Sequence, residues 1–262
     1  MKKLLLIALV AISSTCLGQS SGGNRSSGGV VSAPSIPRVG RWNYAVANNT
    51  AWSNTNSVIA SQGFIVEQGT GAALGAVAGT EENSTKVTSG AVSGNQANAT
   101  DNANPDFYVQ GRNVYLALRL KDNNADLTNQ RLWIGLTNIV TSFANTDTTL
   151  NGDTPCATVL KCAMFRYSSV ASDTTYKCVT GTGAANTITD SGITADTNFH
   201  RFEIQFNDSI PNVVFKIDGA VVCTNTTNLP SGVNFNPYVA LTTQTAAAKE
   251  VDIAWLYIQE DF

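Results

Sequence analysis

Hydrophobic and polar residues alternate along several segments in the second half of the chain. Phe202, Ile204 and Phe206 lie on one face of a predicted strand, and polar residues lie between them. A period of two residues is typical of a strand with one buried face. The alternation resumes in residues 213–222, where Asp218-Gly219 favours the positive φ angles of a tight turn. The segment therefore predicts antiparallel strands joined by a hairpin.

The same period predicts further strands along the chain. They fall at residues 113–121, 131–137, 163–168, 175–179, 238–243 and 250–259. Before residue 105 the pattern is weaker: Trp42 and Tyr44 indicate an early strand, and residues 63–67 indicate another. No segment keeps a helical period over three turns, and only residues 244–249 fit a single helical turn. Many short strands without intervening helices predict an all-β antiparallel sandwich.

The predicted strand pair carries a family motif. Its F-H-x-F-x-I-x-F, followed by V-x-F-x-I-D-G, resembles the strand pair that closes the jelly-roll sheets of concanavalin A-like lectins and glucanases. The order of six further motifs resembles concanavalin A-like modules of phage tail and other virion structural proteins. These motifs lie at residues 131–137, 165–168, 176–180, 190–197, 226–230 and 238–243. The resemblance covers residues 107–260 and implies a concanavalin A-like jelly roll that displays or binds.

The first residues predict an exported protein. Residues 1–18 read as a signal peptide, with Lys2 and Lys3 before an apolar run that is too short to span a bilayer. Cleavage after Gly18 removes Cys16. An alternative makes Cys16 a lipid-anchored N-terminus, although the residues before it lack the usual aliphatic side chain. A secretory signal does not suit a virion part assembled in the cytoplasm, so an exported bacterial protein built on the same module is also open, with the virion as the alternative location.

Composition refines this assignment. Residues 19–35 are rich in Gly and Ser and predict a flexible linker, and residues 36–262 predict one sandwich domain. Only 13% of residues are charged and the net charge is −3, with no run of Lys or Arg. Nucleic acid is therefore not an expected partner, because phosphate binding needs a basic patch. A polar surface with few charges is typical of secreted and virion proteins.

Four cysteines remain after signal cleavage, namely Cys156, Cys162, Cys178 and Cys223. An even number in an exported chain allows two disulfides in three connectivities. Cys162 and Cys178 flank a predicted hairpin centred near Val170, which favours a bridge between them. Cys156 and Cys223 are then left to pair with each other or to stay free. The alternative is that all four are reduced and buried.

The sequence offers no recognisable catalytic set. Retaining glucanases need two carboxylates about 5 Å apart, and no strand of this sequence carries the Glu-x-Asp-x-x-Glu or Glu-x-Asp-x-Glu pattern that glucanases of this scaffold use. His200 is the one histidine, so it fits a strand edge better than a metal site or a Ser-His-Asp triad. Asp122 and Asp126 alternate like calcium ligands but lack the Gly and Glu of such a loop, so an exposed turn is expected. We therefore expect no enzyme and no cofactor.

The outward strand positions suggest binding instead. Five side chains are candidates for a sugar-binding face: Tyr115, Arg119, Arg131, Trp133 and Arg166. Aromatic planes stack on sugar rings and guanidinium groups donate paired hydrogen bonds. The alternative is that the aromatic residues fill a second packing layer.

We therefore expect a non-enzymatic, secreted or surface-displayed β-sandwich that binds a glycan or another surface polymer. The alternative function is a structural or assembly module of a phage virion or a cell-surface appendage. Such a module has protein–protein contacts only, with copies of itself or with virion proteins. A glycan partner and a protein partner need different binding surfaces, and only the folded structure shows which kind of surface is present.

Overall fold

The computed structural model describes the backbone of residues 40–45, 58–59, 64–68, 73–76, 84–100, 108–109, 111–139, 150 and 152–260. Side chains are described for residues 84, 86–100, 111–139, 150 and 152–260. The predicted signal peptide with Cys16 and the predicted linker lie outside the described residues and stay predictions, as does the domain boundary near residue 36.

Short strands and one short helix make up the described secondary structure. In chain order they are β1 (Gly40–Ala45), β2 (Val58–Ile59), β3 (Phe64–Gln68), β4 (Ala73–Ala76), β5 (Thr85–Thr88), β6 (Gln96–Thr100), β7 (Tyr108–Val109), β8 (Tyr115–Asp122), β9 (Gln130–Thr137), α1 (Pro155–Thr158), β10 (Lys161–Ser168), β11 (Thr175–Thr182), β12 (Asn186–Thr194), β13 (His200–Asn207), β14 (Asn212–Ile217), β15 (Ala220–Asn225), β16 (Asn234–Thr243) and β17 (Glu250–Glu260).

The strands form two antiparallel sheets. Sheet A has the order β15-β14-β13-β8-β17-β5-β4, and β1 also pairs with β17. Sheet B has the order β12-β11-β10-β9-β16-β6-β3-β2, and β7 also pairs with β16. Neighbours in space are often distant in sequence: β8 lies between β13 and β17, and β9 lies between β10 and β16. The predicted antiparallel β-sandwich is therefore confirmed.

The hydrophobic core lies between the sheets. Sheet A contributes alternate residues of β8, β13, β14 and β17, and sheet B contributes alternate residues of β9, β10, β11 and β16. At its centre the ring of Phe165 makes edge contacts with Phe202 and Phe215, with centroids 5.1 and 5.2 Å apart. Phe202 is one of the residues that the period-two pattern placed on the same face of their strand.

The hairpin predicted at Asp218-Gly219 is also present. Asp218 has φ 53° and Gly219 has φ 83°, the paired positive angles of a tight reversal between β14 and β15. The single helical turn considered for residues 244–249 is not formed, because these residues adopt bends. Strand β12 was not predicted, since Ser191 is its only buried residue and no hydrophobic alternation marks it.

The cysteine pairing differs from the prediction. The structure joins Cys156 to Cys162 and Cys178 to Cys223, so the predicted Cys162–Cys178 bridge and the second pair Cys156–Cys223 are wrong. The hairpin of β10 and β11 exists, but its register sets Cys162 opposite Gly181 and Cys178 opposite Phe165. The two cysteines therefore point to opposite faces of sheet B, where no bridge can join them.

The two disulfides bear on the environment in which the protein functions. Cys178 points into the core and reaches Cys223 on β15, so this bond crosses from one sheet to the other. Two disulfides are typical of an extracellular environment. Within the described residues, no helix has the length and apolar character needed to cross a membrane.

Candidate ligand-binding face

The five residues predicted to line one face lie on two faces. Tyr115 and Arg119 belong to β8 and point outward from sheet A. Arg131 and Trp133 of β9, and Arg166 of β10, point outward from sheet B. The outer faces of a sandwich point away from each other, so these five side chains do not form one site. Period-two patterning separated inside from outside but did not show which strands share a sheet.

The arginines of sheet B are engaged in buried ion pairs. Arg131 donates from Nε and Nη2 to the carboxylate of Asp153 at 2.7 and 3.0 Å. Arg166 donates from Nε and Nη2 to the carboxylate of Asp173, with both distances 3.0 Å. Its Nη1 also donates to the backbone carbonyl of Asp153 at 2.8 Å. Both guanidinium groups therefore hold loops against the sheet, and bidentate pairs of this kind fix geometry strongly.

Trp133 lies in a second packing layer outside sheet B. Its side chain is fully buried, and its Nε1 donates to the carbonyl of Gly152 at 3.3 Å. The residues clustered with it come from β10, β11, β16, α1 and the segments that precede and follow α1. They are Ile139, Leu150, Cys156, Leu160, Cys162, Met164, Val179, Tyr238 and Ala240. The alternative weighed for Trp133, a structural role in a second layer, is the one its burial supports.

The Cys156–Cys162 disulfide and Gly181 hold α1 against this layer. A Cβ at Gly181 would lie 2.2 Å from the backbone oxygen of Cys156 and 2.5 Å from its Cβ. Only glycine allows this approach of the helix to β11.

Gly181→Ala should therefore destabilise the protein by about 2 kcal/mol, because backbone atoms must move to admit the methyl group. Urea unfolding measures this change. Gly152→Ala is the matched control, since its nearest neighbour to a new Cβ is 4.0 Å away. Equal stability of the two variants would contradict the close packing of α1 on β11.

The outer face of sheet A is open by comparison. Tyr115 Oη donates to Glu203 Oε2 at 2.6 Å, and Arg201 Nη2 donates to Tyr115 Oη at 3.0 Å. Arg201 Nε lies 3.0 Å from Glu203 Oε1. The Arg201 side chain is 46% exposed, whereas that of Glu203 is only 5% exposed. The buried carboxylate of Glu203 thus holds the side chains of Tyr115 and Arg201 in place at the outer surface of sheet A.

Aromatic groups from β17 continue this surface. Strand register sets Trp255 beside Arg119 and sets Tyr257 beside Ala117. The rings of Tyr115 and Tyr257 meet edge to face with centroids 6.0 Å apart. We name this surface the outer platform and define it by Tyr115, Arg119, Arg201, Glu203, Trp255 and Tyr257. Its three central strands span about 10 Å, since neighbouring strands lie about 4.8 Å apart.

The electrostatics of the platform favour hydrogen bonding by a neutral tyrosine. Burial raises the pKa of Tyr115, and the hydrogen bond to the Glu203 carboxylate raises it further. Tyr115 therefore keeps its proton at neutral pH. The Tyr115 hydroxyl donates to Glu203 and accepts from Arg201, and its second lone pair can accept a further hydrogen bond from a hydroxyl group of a polyol.

His200 does not form a catalytic triad. Its Nδ1 lies 2.7 Å from Asp218 Oδ2, and its Nε2 lies 3.0 Å from Asp196 Oδ1. Burial acts to lower the pKa of His200, but the hydrogen bonds and charges of Asp218 and Asp196 outweigh it and raise the pKa. Both ring nitrogens are occupied by carboxylates, so the imidazole joins the loop before β13 to the hairpin turn after β14.

The Asp122–Asp126 turn is held by protein donors. Asp122 accepts hydrogen bonds from the side chains of Asn124 and Gln130. Asp126 Oδ1 accepts from Thr128 Oγ1 at 2.6 Å and from Lys249 Nζ at 3.2 Å. Among the described residues, no three His, Cys, Asp or Glu side chains are grouped so that they could hold a metal ion.

Sequence reasoning missed four members of the platform. Arg201 and Glu203 were visible as outward positions of the F-x-I-x-F strand, and Trp255 and Tyr257 as outward positions of the last strand. No signal in the sequence sets β13 beside β8, because the two strands are about 85 residues apart. Register alone brings Tyr115 within reach of Arg201 and Glu203.

Comparison with known proteins identifies the fold but no family. No known protein family and no curated protein matches the chain. Among solved structures, a protein of unknown function from Shewanella oneidensis MR-1 is similar with a TM-score of 0.57 and 10% identity, over 85% of this chain and 86% of that one. The fold that this similarity supports is an antiparallel jelly-roll β-sandwich.

Two further solved structures are similar to this chain at lower TM-scores. The carbohydrate recognition domain of Emp47p has a TM-score of 0.49 and 9% identity, over 73% of this chain and 89% of that one. An endo-β-1,4-glucuronan lyase from Trichoderma reesei has a TM-score of 0.48 and 10% identity, over 74% and 89%.

The expectation that the chain is not an enzyme is therefore corrected. It rested on the absence of glucanase carboxylates from the predicted strands. Structures similar to this chain include a polysaccharide lyase as well as a carbohydrate recognition domain. The absence of one catalytic pattern from a fold shared by enzymes and binding proteins does not exclude catalysis.

Proposed function

We propose that the protein is a secreted or surface-displayed β-sandwich that binds a glycan through the outer platform. The observation that carries the proposal is the Arg201–Tyr115–Glu203 network, in which a buried carboxylate holds a tyrosine and an exposed guanidinium in fixed positions. Polar groups fixed in this way lose little freedom when they bind a sugar. Trp255 and Tyr257 supply apolar ring surface beside them.

The other predicted residues support this choice of surface by elimination. Arg131 and Arg166 are buried in ion pairs, and Trp133 is buried in the second layer. A ligand there would have to displace Asp153, Asp173 and the α1 segment. Tyr115 and Arg119 are only partly buried and need no such displacement.

Trp255→Ala should weaken glycan binding about tenfold or more, the loss that truncation of a central interface aromatic usually causes. A glycan array probed with the purified chain identifies a ligand, and titration calorimetry then measures the affinity of the variant. Val170→Ala is the control, since Val170 is an exposed side chain at the tip of the β10–β11 hairpin. Trp133→Ala would be uninformative, because it removes a buried side chain.

The same experiment distinguishes glycan binding from the alternative function, a structural or assembly module. Saturable binding that is weakened in Trp255→Ala and kept in Val170→Ala supports the proposal. An array without binding, together with multimers of the chain in solution, would contradict it. That result would favour the structural or assembly module with protein–protein contacts.

A further inference from the structure

His200 lies between two carboxylates that belong to different segments of the chain. Its Nδ1 lies 2.7 Å from Asp218 Oδ2, in the turn between β14 and β15, and its Nε2 lies 3.0 Å from Asp196 Oδ1, in the segment between β12 and β13. A carboxylate oxygen only accepts hydrogen bonds, so each ring nitrogen has to donate. A neutral imidazole carries one N–H, whereas an imidazolium carries two. The geometry at both nitrogens therefore fits the protonated ring.

The groups that pack around His200 from the neighbouring strands do not replace these two carboxylates. The rings of Tyr176 on β11 and Phe202 on β13 meet the imidazole edge to face, with centroids 6.1 and 6.2 Å away. Burial raises the pKa of Tyr176, so its hydroxyl stays neutral. On β8, Leu120 is the register partner of His200, and Asp122 lies on the same side of the strand, where neighbouring amide groups donate to it. Three cations on these strands point to the outer face instead: Arg119, Lys121 and Arg201.

The residue that precedes His200 contacts the outer face of sheet A. The ring of Phe199 lies 5.2 Å from the guanidinium of Arg119 and 5.2 Å from the ammonium of Lys121, measured to the ring centroid. Cations at this distance from an aromatic ring are attracted to it. The segment that His200 joins to Asp218 therefore ends in a side chain that lies against one end of the outer platform.

The residue that follows His200 is a member of the platform. The backbone N–H of Arg201 donates to Asp218 Oδ1 at 2.8 Å, and its Nη2 donates to Tyr115 Oη at 3.0 Å. One oxygen of Asp218 thus holds the imidazole and the other holds the backbone of the strand that carries the platform guanidinium. A change in the bond between His200 and Asp218 therefore reaches Arg201 directly.

We propose that His200, with Asp196 and Asp218, is a pH-dependent clasp that fixes this end of the outer platform. With two protons on its ring, His200 joins residues 195–199 to the turn between β14 and β15. When the ring releases one proton to solvent, one nitrogen presents a lone pair to a carboxylate oxygen, and that contact is lost. As regulation of ligand binding the inference rests on the proposed function, whereas the clasp itself is a property of the protein without ligand.

The direction of the pH dependence follows from the surroundings of the ring. Burial acts to lower the pKa of His200, but the hydrogen bonds and charges of Asp218 and Asp196 outweigh it and raise the pKa. An unperturbed histidine has a pKa of about 6.5. The clasp therefore contributes its full stabilisation below about pH 6.5 and loses it as the pH rises through the pKa of the folded state.

NMR titration of the purified chain, without a histidine tag, tests the clasp. His200 is the one histidine in the sequence, so the imidazole C–H signals report its pKa directly. Between about pH 5 and pH 9 we expect a pKa above 6.5, and the backbone amide signals of Phe199 and Arg201 should shift with the same midpoint. Asp196→Asn and Asp218→Asn should each lower the pKa of His200 by about one unit, the shift that loss of a neighbouring opposite charge causes.

Asp208→Asn is the matched control. Asp208 follows the opposite end of β13, where its Oδ2 accepts from the backbone N–H of Asn113 at 2.8 Å, so the variant should leave the pKa of His200 unchanged. Asparagine tolerates the positive φ of residue 218, so Asp218→Asn keeps the turn.

Two results would overturn the inference. One is a pKa of His200 at or below 6.5. The other is an imidazole titration that leaves the amide signals of Phe199 and Arg201 unchanged, because His200 would then form ion pairs without fixing the platform. A glycan array without binding would contradict the proposed function and leave this NMR result as it is, so the two proposals fail separately.

Discussion

Replacement of Cys178 and Cys223 by alanine should lower the free energy of unfolding by about 4 kcal/mol, because this disulfide closes a long loop in the unfolded chain. The two cysteines are 45 residues apart in sequence. The bond also joins β11 of sheet B to β15 of sheet A, so its loss lets these two chain segments move independently in the unfolded ensemble. Urea unfolding without reductant measures the change.

The second disulfide provides the matched comparison. Cys156 and Cys162 are only 6 residues apart, so replacement of both by alanine should cost about 2 kcal/mol by the same loop-closure relation. Non-reducing peptide mapping of the wild type should give Cys178–Cys223 and Cys156–Cys162 peptides. A Cys162–Cys178 peptide, or equal losses in the two double variants, would contradict the pairing.

Stability should depend on the protonation of Asp122. Burial raises the pKa of its carboxyl group from 3.8 to about 6, although the Asn124 and Gln130 hydrogen bonds act to lower it. Between these two values the folded state holds the proton and the unfolded state has lost it. Stability from this group is therefore greatest below pH 4 and falls as the pH rises toward 6, by about 3 kcal/mol in total.

Asp122→Asn isolates this contribution, because the amide has nearly the same shape and does not titrate. Urea unfolding of both proteins from pH 3.5 to pH 7 gives the difference in their unfolding free energies. That difference should move by about 3 kcal/mol in favour of the variant as the pH rises. The His200 and Asp126 pairs titrate in both proteins and cancel. A difference independent of pH would show that the pKa of Asp122 is the same in the folded and unfolded states.

Strand prediction succeeded where burial was one-sided. The leucines of β8 and β9 and the phenylalanines of β13 face the core as the alternation indicated. Strand β12 was missed because its side chains are mostly exposed, so it is held by hydrogen bonds to β11 and leaves no hydrophobic pattern. Backbone pairing at an exposed edge does not depend on side-chain type, and the sequence carries little record of it.

The candidate site was predicted only in part, because the alternation along a strand shows only which residues point outward. Tyr115 and Arg119 were correctly placed on an outward face, but Arg131, Trp133 and Arg166 were grouped with them. All five residues occupy outward positions in the two-residue period of their strands. An outward position does not reveal which sheet the strand joins. It also does not reveal whether a segment such as residues 152–160 covers the outer face of that sheet.

The sequence by itself determined the antiparallel sandwich, the inward set of each strong strand and the Asp218-Gly219 hairpin. These depend on local chemistry, because side-chain period and turn geometry are set within a few residues. Only the tertiary structure decided that Cys178 meets Cys223, that Trp133 is buried beneath α1, and that Arg201 lies beside Arg119. Each of these is a contact between distant segments, fixed by sheet order and register, which arise from packing of the whole chain.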